Sequence, residues 1–129
     1  MPREVVIVSP TALDLRGLVE AGAAVDPSLG LRTLDGQTVH QIVRIDDDHP
    51  DVGRSVLSLH EPLIVANTAE IPRLLPQVTT LPDWASDGRP LWWIEALVPW
   101  RADDARVGLA VARELADRLG GLCVVQDGG

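Results

Sequence analysis

The C-terminal third of the chain carries a strand–helix–strand pattern that limits the possible folds more than any other segment. Residues 91–98 (LWWIEALV) form an apolar run typical of a strand, in which alternate side chains face opposite sides. Apolar residues at helical spacing follow between Val107 and Leu119. A Gly-Gly pair can end that helix, and Leu122–Val125 resembles a last strand. This order predicts a layered domain that contains both α and β structure.

A second strand–helix unit is predicted at the other end of the chain. Residues 4–8 (EVVIV) form a β-branched run typical of a buried strand. Apolar residues at helical spacing follow, which predicts a helix over residues 11–23. Thr11 and Asp14 match a capping box, in which both side chains accept hydrogen bonds from free N–H groups of the first turn.

Antiparallel strands are predicted between these two units. The dipeptide Asp35-Gly36 favours a tight hairpin turn, and residues 38–45 and 55–59 have strand character. The resulting order resembles the ferredoxin-like βαββαβ plan. We therefore predict a single α+β domain over residues 1–129. Its expected form is a two-layer ferredoxin-like sandwich whose sheet is antiparallel or mixed and has one or two extra strands.

Charge and composition limit the classes of partner that the protein is expected to bind. The formal net charge is −8, and all 11 basic residues are arginine because the sequence contains no lysine. Such a surface repels phosphate backbones, so we expect no nucleic-acid partner, whereas it attracts basic proteins. A lysine-free, Ala- and Val-rich chain is typical of high-GC bacterial genomes. We expect a cytoplasmic protein without a membrane partner, since no apolar window reaches the length of a span and the first residues do not form a signal peptide.

No catalytic or cofactor motif is evident, and we expect no cofactor and no bound metal. The lone Cys123 lies in an apolar run and is expected in the core. The three histidines do not have the spacing of a helical zinc pair. Two weaker options for catalysis remain: His40 could approach His60 if their strands pair, or Glu95 could act as a base among apolar neighbours.

The most acidic segment joins two predicted strands. Asp46, Asp47, Asp48 and Asp51 surround His49 there. Hard oxygen ligands of this kind suit a divalent cation, but the segment lacks the glycine and glutamate positions of an EF-hand loop. The plainest interpretation is a solvated turn. A patch that contacts a basic partner is the functional alternative, and on that interpretation the four aspartates are candidate partner-binding residues.

The two sides of the strand at residues 91–98 differ in character. One side is wholly apolar and is expected to meet the helices; it comprises Trp92, Ile94, Ala96 and Val98. The other side combines Leu91 with Trp93, Glu95 and Leu97. A ferredoxin-like layer leaves one face of its sheet without helices. Trp93 on that face is either covered, for example by the loop that carries Trp84, or it contacts a partner together with Glu95 and Leu97.

Three functions are compatible with these patterns. The first is a non-enzymatic, acidic protein-binding module, such as an inhibitor or immunity protein of a bacterial toxin or of another basic enzyme. The second is a small-ligand-binding or regulatory homodimer that associates through its sheet. The third is a small enzyme that uses Glu95 or the pair His40 and His60.

Overall fold

The computed structural model describes residues 3–34, 36, 38–45, 53–65, 71, 75, 82–85 and 89–126. The described residues form one seven-stranded sheet with two long helices on one side. The elements in chain order are β1 (Arg3–Ser9), α1 (Leu15–Val25), β2 (Leu29–Leu34), β3 (Val39–Ile45), β4 (Gly53–His60), β5 (Leu63–Val65), a 3-10 turn (Asp83–Ala85), β6 (Leu91–Val98), α2 (Ala102–Leu119) and β7 (Leu122–Gln126).

The sheet has the strand order β2-β3-β4-β6-β1-β7, and β5 pairs with β6. Every strand pairing among the described residues is antiparallel. The predicted α+β class and antiparallel sheet are confirmed. The strand order does not confirm the ferredoxin-like plan, because the hairpin β2–β3 stands between α1 and β4 in the chain and β5 adds a further short strand.

Alternation along β1 and β6 divides the core into two clusters. Val5 and Ile7 of β1 pack with Ile94 of β6 in the cluster beneath the helices. Val6 and Val8 point the other way and join a second, smaller cluster. The expected helix-facing side of β6 is confirmed for its three buried members, whereas Trp92 is half-buried. These fully buried members are Ile94, Ala96 and Val98.

The second cluster covers one end of the helix-free face. Ile71, Leu75 and Ala85 pack there against Leu91 and Trp93 of β6. Trp84 is half-buried at the margin of this cluster. Residues between β5 and β6 therefore cover part of the face, which agrees with the alternative that Trp93 is covered.

A β-bulge shapes the middle of the sheet. The register between β3 and β4 shifts at Ile42 and Val43, so β4 contains one extra residue there. Val56 and Leu57 are consequently both buried in the cluster beneath the helices, although they are consecutive in sequence. A regular strand would send one of them to the opposite side.

The start of α1 differs from the predicted capping box. Asp14 is the N-cap, and its carboxylate accepts a hydrogen bond from the Gly17 N–H at 2.6 Å. Thr11 lies outside the helix, because its N–H donates to the buried Ser9 hydroxyl at 2.9 Å. That hydroxyl in turn donates to the Thr11 carbonyl at 2.6 Å. The helix therefore begins at Leu15 rather than near residue 11.

Helix α2 packs closely against β4. A Cβ atom at Gly108 would overlap the backbone carbonyl oxygen of Val56, so only glycine permits this approach. One turn earlier, the buried Asp104 accepts from Arg54, with 3.0 Å between Oδ2 and Nε, and lies 3.9 Å from Arg44. Asp104 thus lies in the first turn of the helix without capping it.

The C-terminal end of α2 confirms its sequence signal. Gly120 adopts the left-handed conformation with φ of 70°, and its N–H donates to carbonyls of the last turn. This αL cap turns the chain sharply into β7. Among the described residues, neither helix has the length and apolarity that a membrane crossing requires.

We expect Gly108→Ala to destabilise the fold by about 3 kcal/mol, because the added methyl group forces α2 away from β4. Gly22→Ala in α1 is the matched control, since its Cβ would lie 3.5 Å from Ile42 and make an ordinary contact. The control should gain up to about 1 kcal/mol through helix propensity. Urea unfolding of both variants measures the difference, and equal free energies of unfolding would contradict the close-contact explanation.

We expect Asp104→Asn to lower the free energy of unfolding by about 3 kcal/mol. Arg44 and Arg54 are directly opposite each other on β3 and β4, so loss of the shared carboxylate leaves two like charges adjacent. Asp103→Asn removes a carboxylate that is 82% exposed and should change the free energy by less than about 0.5 kcal/mol. Thermal and urea denaturation of both variants provide the comparison.

Candidate functional site

The uncovered part of the helix-free face forms the candidate site. The strand pairings align one residue from each of six strands in a row across this face. In spatial order, the row comprises Arg32, Gln41, Ser58, Leu97, Glu4 and Gln126. Residues from all the long strands therefore contribute to one continuous surface.

A chain of hydrogen bonds fixes the half of this row that lies on β2, β3 and β4. Arg32 donates to the side-chain oxygen Oε1 of Gln41 through Nε at 3.0 Å and through a terminal nitrogen at 2.6 Å. Gln41 then donates to the Ser58 hydroxyl at 3.0 Å, and the Ser55 hydroxyl lies 3.1 Å from that of Ser58. Because both ends of the Gln41 amide are engaged, these side chains form a preorganised polar surface.

Glu95 occupies the centre of the other half. Its side chain is exposed, whereas the neighbouring Trp93 is only 8% exposed. The Trp93 indole N–H donates to Glu95 Oε1 at 3.3 Å, which orients the carboxylate over the strand. Val6, paired with Glu95 on β1, supplies a buried apolar floor beside it.

Two shallow pockets meet at Glu95. The first has a volume of about 260 Å³ and is lined by Glu4, Val5, Val6, His60, Trp93, Glu95, Ala96, Leu97 and Gln126. The second has a volume of about 380 Å³ and is lined by Thr38, Val39, His60, Glu61, Leu63, Trp93 and Glu95. Three carboxylates and one imidazole therefore surround apolar side chains. This arrangement suits a positively charged group on an apolar stem.

The structure brings together the strand residues that the sequence singles out. Trp93, Glu95 and Leu97 lie on one face, with Trp93 buried, Glu95 exposed and Leu97 half-buried. The four predicted aspartates of the acidic segment lie outside the described residues; they are Asp46, Asp47, Asp48 and Asp51. Their role as partner contacts stays a prediction.

The sequence did not predict that Glu4 and His60 lie beside Glu95, although His60 was a candidate in a pair with His40. Glu4 reaches the site because β1 pairs with β6 in a register that sets it opposite Leu97. His60 reaches it because β4 pairs with β6 from the other side. Alternation alone places Glu4 on the same side of β1 as Val6, which was the one available signal.

His40 and His60 do not come together, although their strands pair. His60 is opposite Val39 and lines the pockets, whereas His40 occupies the alternate position and lies on the other side of the sheet. The His40 Nδ1 atom is 3.0 Å from the Thr33 hydroxyl oxygen. Among the described residues, no group of three or more His, Cys, Asp or Glu side chains is placed to hold a metal ion.

Cys123 and Asp26, which both lie outside the pockets, have shifted pKa values. Burial raises the pKa of the Cys123 thiol; Arg113 lowers it to a smaller extent and Asp117 raises it. The Asp26 carboxylate accepts hydrogen bonds from the Ser28 hydroxyl and N–H, and these bonds lower the pKa of Asp26. Cys123 is therefore a protonated packing residue at neutral pH, and Asp26 is an ionised turn residue before β2.

Comparison with known proteins does not assign the chain to a family. Family models, curated proteins and solved structures all yielded no match to the chain.

We expect the folded-state pKa of Cys123 to exceed that of the unfolded thiol, with a consequence for stability at alkaline pH. The stabilisation is complete below the unfolded pKa and is lost as the pH rises through the folded pKa. The chain has no lysine or tyrosine, so no other type of side chain titrates near this range. Iodoacetamide should alkylate the folded protein with a half-maximal rate at a higher pH than the same chain in urea. Equal midpoints would show that burial leaves the thiol unaffected.

Proposed function

We propose that the protein is a non-enzymatic, acidic protein-binding module of the inhibitor or immunity type. In this proposal it holds a basic side chain of its partner at the Glu95 pockets. The observation that supports it best is the position of Glu95, an exposed carboxylate at the junction of two pockets that also contain Glu4 and Glu61.

The pockets provide both parts of a site for arginine or lysine. The side chains of Val6, Trp93 and Leu97 can contact the methylene stem of a basic residue. The carboxylates of Glu4 and Glu95 can then accept hydrogen bonds from its charged head. Because Trp93 is already buried, it forms a fixed wall of the first pocket that the partner does not have to order.

The rest of the surface supports the same type of partner. The net charge of −8 attracts a basic protein over long distances and raises the rate of encounter. The hydrogen-bonded row of Arg32, Gln41 and Ser58 fixes the neighbouring surface before binding. A preformed surface loses less conformational entropy when the partner docks.

We also propose a finer topology and a cellular location for the protein. We interpret β7-β1-β6-β4 as a ferredoxin-like core to which the hairpin β2–β3 and the short β5 are added. The neighbour order of these four strands and the placement of α1 and α2 along the chain support this interpretation. A single free cysteine fits a reducing compartment such as the bacterial cytoplasm.

The partner can be identified with a photo-crosslinking amino acid at position 97. Leu97 is half-buried in the first pocket, so a crosslinker there should capture a protein that occupies it. Val19 on the exposed side of α1 is the matched position for background capture. Recovery of a basic protein from position 97 alone supports the proposal, and recovery of a second copy of the chain instead would favour the regulatory homodimer.

We expect Glu95→Arg to weaken binding of the captured partner at least 100-fold, because it replaces attraction by repulsion at the centre of the site. Glu95→Gln should weaken it about tenfold, which corresponds to about 1.4 kcal/mol. Glu20→Arg on α1 makes the same change in net charge away from the pockets and should have an effect below threefold. Titration calorimetry of the three variants checks these values. Equal weakening by Glu20→Arg would show that the net charge of the protein, and not the Glu95 pockets, determines binding.

A further inference from the structure

Trp100 is the most exposed large apolar side chain among the described residues. It lies in the short link between β6 and α2, and 71% of its surface is accessible. The Arg101 guanidinium lies 6.0 Å from the centre of its ring. Exposed tryptophan next to arginine is the composition typical of residues that dominate the energy of protein interfaces.

Trp100 borders a groove beside α2. The groove has a volume of about 390 Å³ and is lined by Arg3, Pro99, Trp100, Ala102, Ala105, Arg106, Leu109 and Arg113. Its five residues on α2 are spaced by one, three or four positions and therefore form one stripe along the helix. At a rise of 1.5 Å per residue, the stripe from Ala102 to Arg113 is about 16 Å long, the length of about five extended residues.

The lining combines an apolar floor with a positively charged rim. Ala105 and Leu109 are half-buried and supply the floor from α2. The guanidinium groups of Arg3, Arg106 and Arg113 supply the charge. Asp103 forms an ion pair with Arg106 at 3.4 Å, but both side chains are more than three-quarters exposed, so solvent screens that pair.

We propose that this groove binds a short acidic segment of another protein, in which an apolar residue is flanked by carboxylates. Guanidinium groups bind carboxylates in a bidentate geometry, which accounts for the charge of the segment. The floor of Ala105 and Leu109 accounts for its apolar residue, which would pack against Trp100. The length of the stripe limits the segment to about five residues.

A short acidic segment fits this protein better than a polyanion does. Four arginines gather at or beside the groove in a chain whose net charge is −8. A long nucleic acid would extend past the groove onto the negatively charged remainder of the surface. A segment with a few carboxylates contacts only the arginine-rich area.

This groove is separate from the Glu95 pockets, and the inference does not depend on the function proposed for them. Arg3 lines the groove on the helix side of β1, whereas the next residue, Glu4, lines a pocket on the opposite side. The two surfaces have opposite charge and would accept different segments. Failure of one proposal therefore leaves the other intact.

The test measures binding of the fluorescein-labelled peptide acetyl-Glu-Glu-Leu-Glu-Glu-amide by anisotropy. We expect saturable binding that weakens at least fivefold between 50 and about 300 mM salt, because the contacts are largely ionic. Trp100→Ala and Arg113→Glu should each weaken binding at least tenfold. Arg16→Glu, a matched charge reversal on the exposed surface of α1, should weaken it less than threefold.

Three further measurements can overturn the proposal. A peptide with glycine in place of leucine should bind at least fivefold more weakly, and equal binding would show that charge alone is recognised. Tighter binding of a ten-nucleotide oligothymidylate, lost in Arg113→Glu, would assign the groove to nucleic acid. Concentration-dependent dimerisation that Arg113→Glu abolishes, seen by sedimentation, would assign it to a second copy. Absence of peptide binding at millimolar concentration would also reject the proposal.

Discussion

The contact of α2 with β4 at Gly108 determines the position of most other features. Without a side chain at residue 108, the helix lies close enough to the sheet for its backbone to meet the Val56 carbonyl. Asp104 is one turn earlier on the same side of the helix, so this approach also brings its carboxylate to Arg54 and Arg44. Steric fit and charge thus fix the N-terminal end of α2 at one place on the sheet.

The position of the N-terminal end of α2 affects features on both sides of the sheet. The link that carries Trp100 must extend from the end of β6 to the fixed start of α2, which orients the arginine-lined groove. The bulge at Val56 turns two consecutive side chains into the core, and it leaves Ser55 and Ser58 together on the helix-free face. The polar row of that face therefore depends on the same irregularity that α2 packs against.

Local patterns correctly predict several features of the elements. The alternation in residues 91–98 correctly predicts which side of β6 meets the helices, and the Gly-Gly pair correctly predicts the end of α2. The dipeptide Asp35-Gly36 correctly predicts that β2 pairs with β3. Gly36 has a φ of 61°, a conformation that favours glycine. These features depend on neighbours within a few residues, so the sequence contains the information directly.

Features that depend on distant pairing could not be predicted. Glu4 and His60 join Glu95 only through the registers of β1 and β4 with β6, and nothing near either residue specifies those registers. The predicted start of α1 was wrong. The buried Ser9 hydroxyl accepts a hydrogen bond from the Thr11 N–H, and this bond holds Thr11 outside the helix. The covering of Trp93 was one of two alternatives, but the residues that provide it, Ile71 and Leu75, follow from tertiary packing.

The alternation of Arg3 and Glu4 along β1 places opposite charges on the two sides of the sheet. Arg3 lines the groove together with Arg106 and Arg113, whereas Glu4 lines a pocket together with Glu95. The sheet therefore holds these two groups of charges on opposite sides, and the charge of a partner determines which of the two sites it can approach.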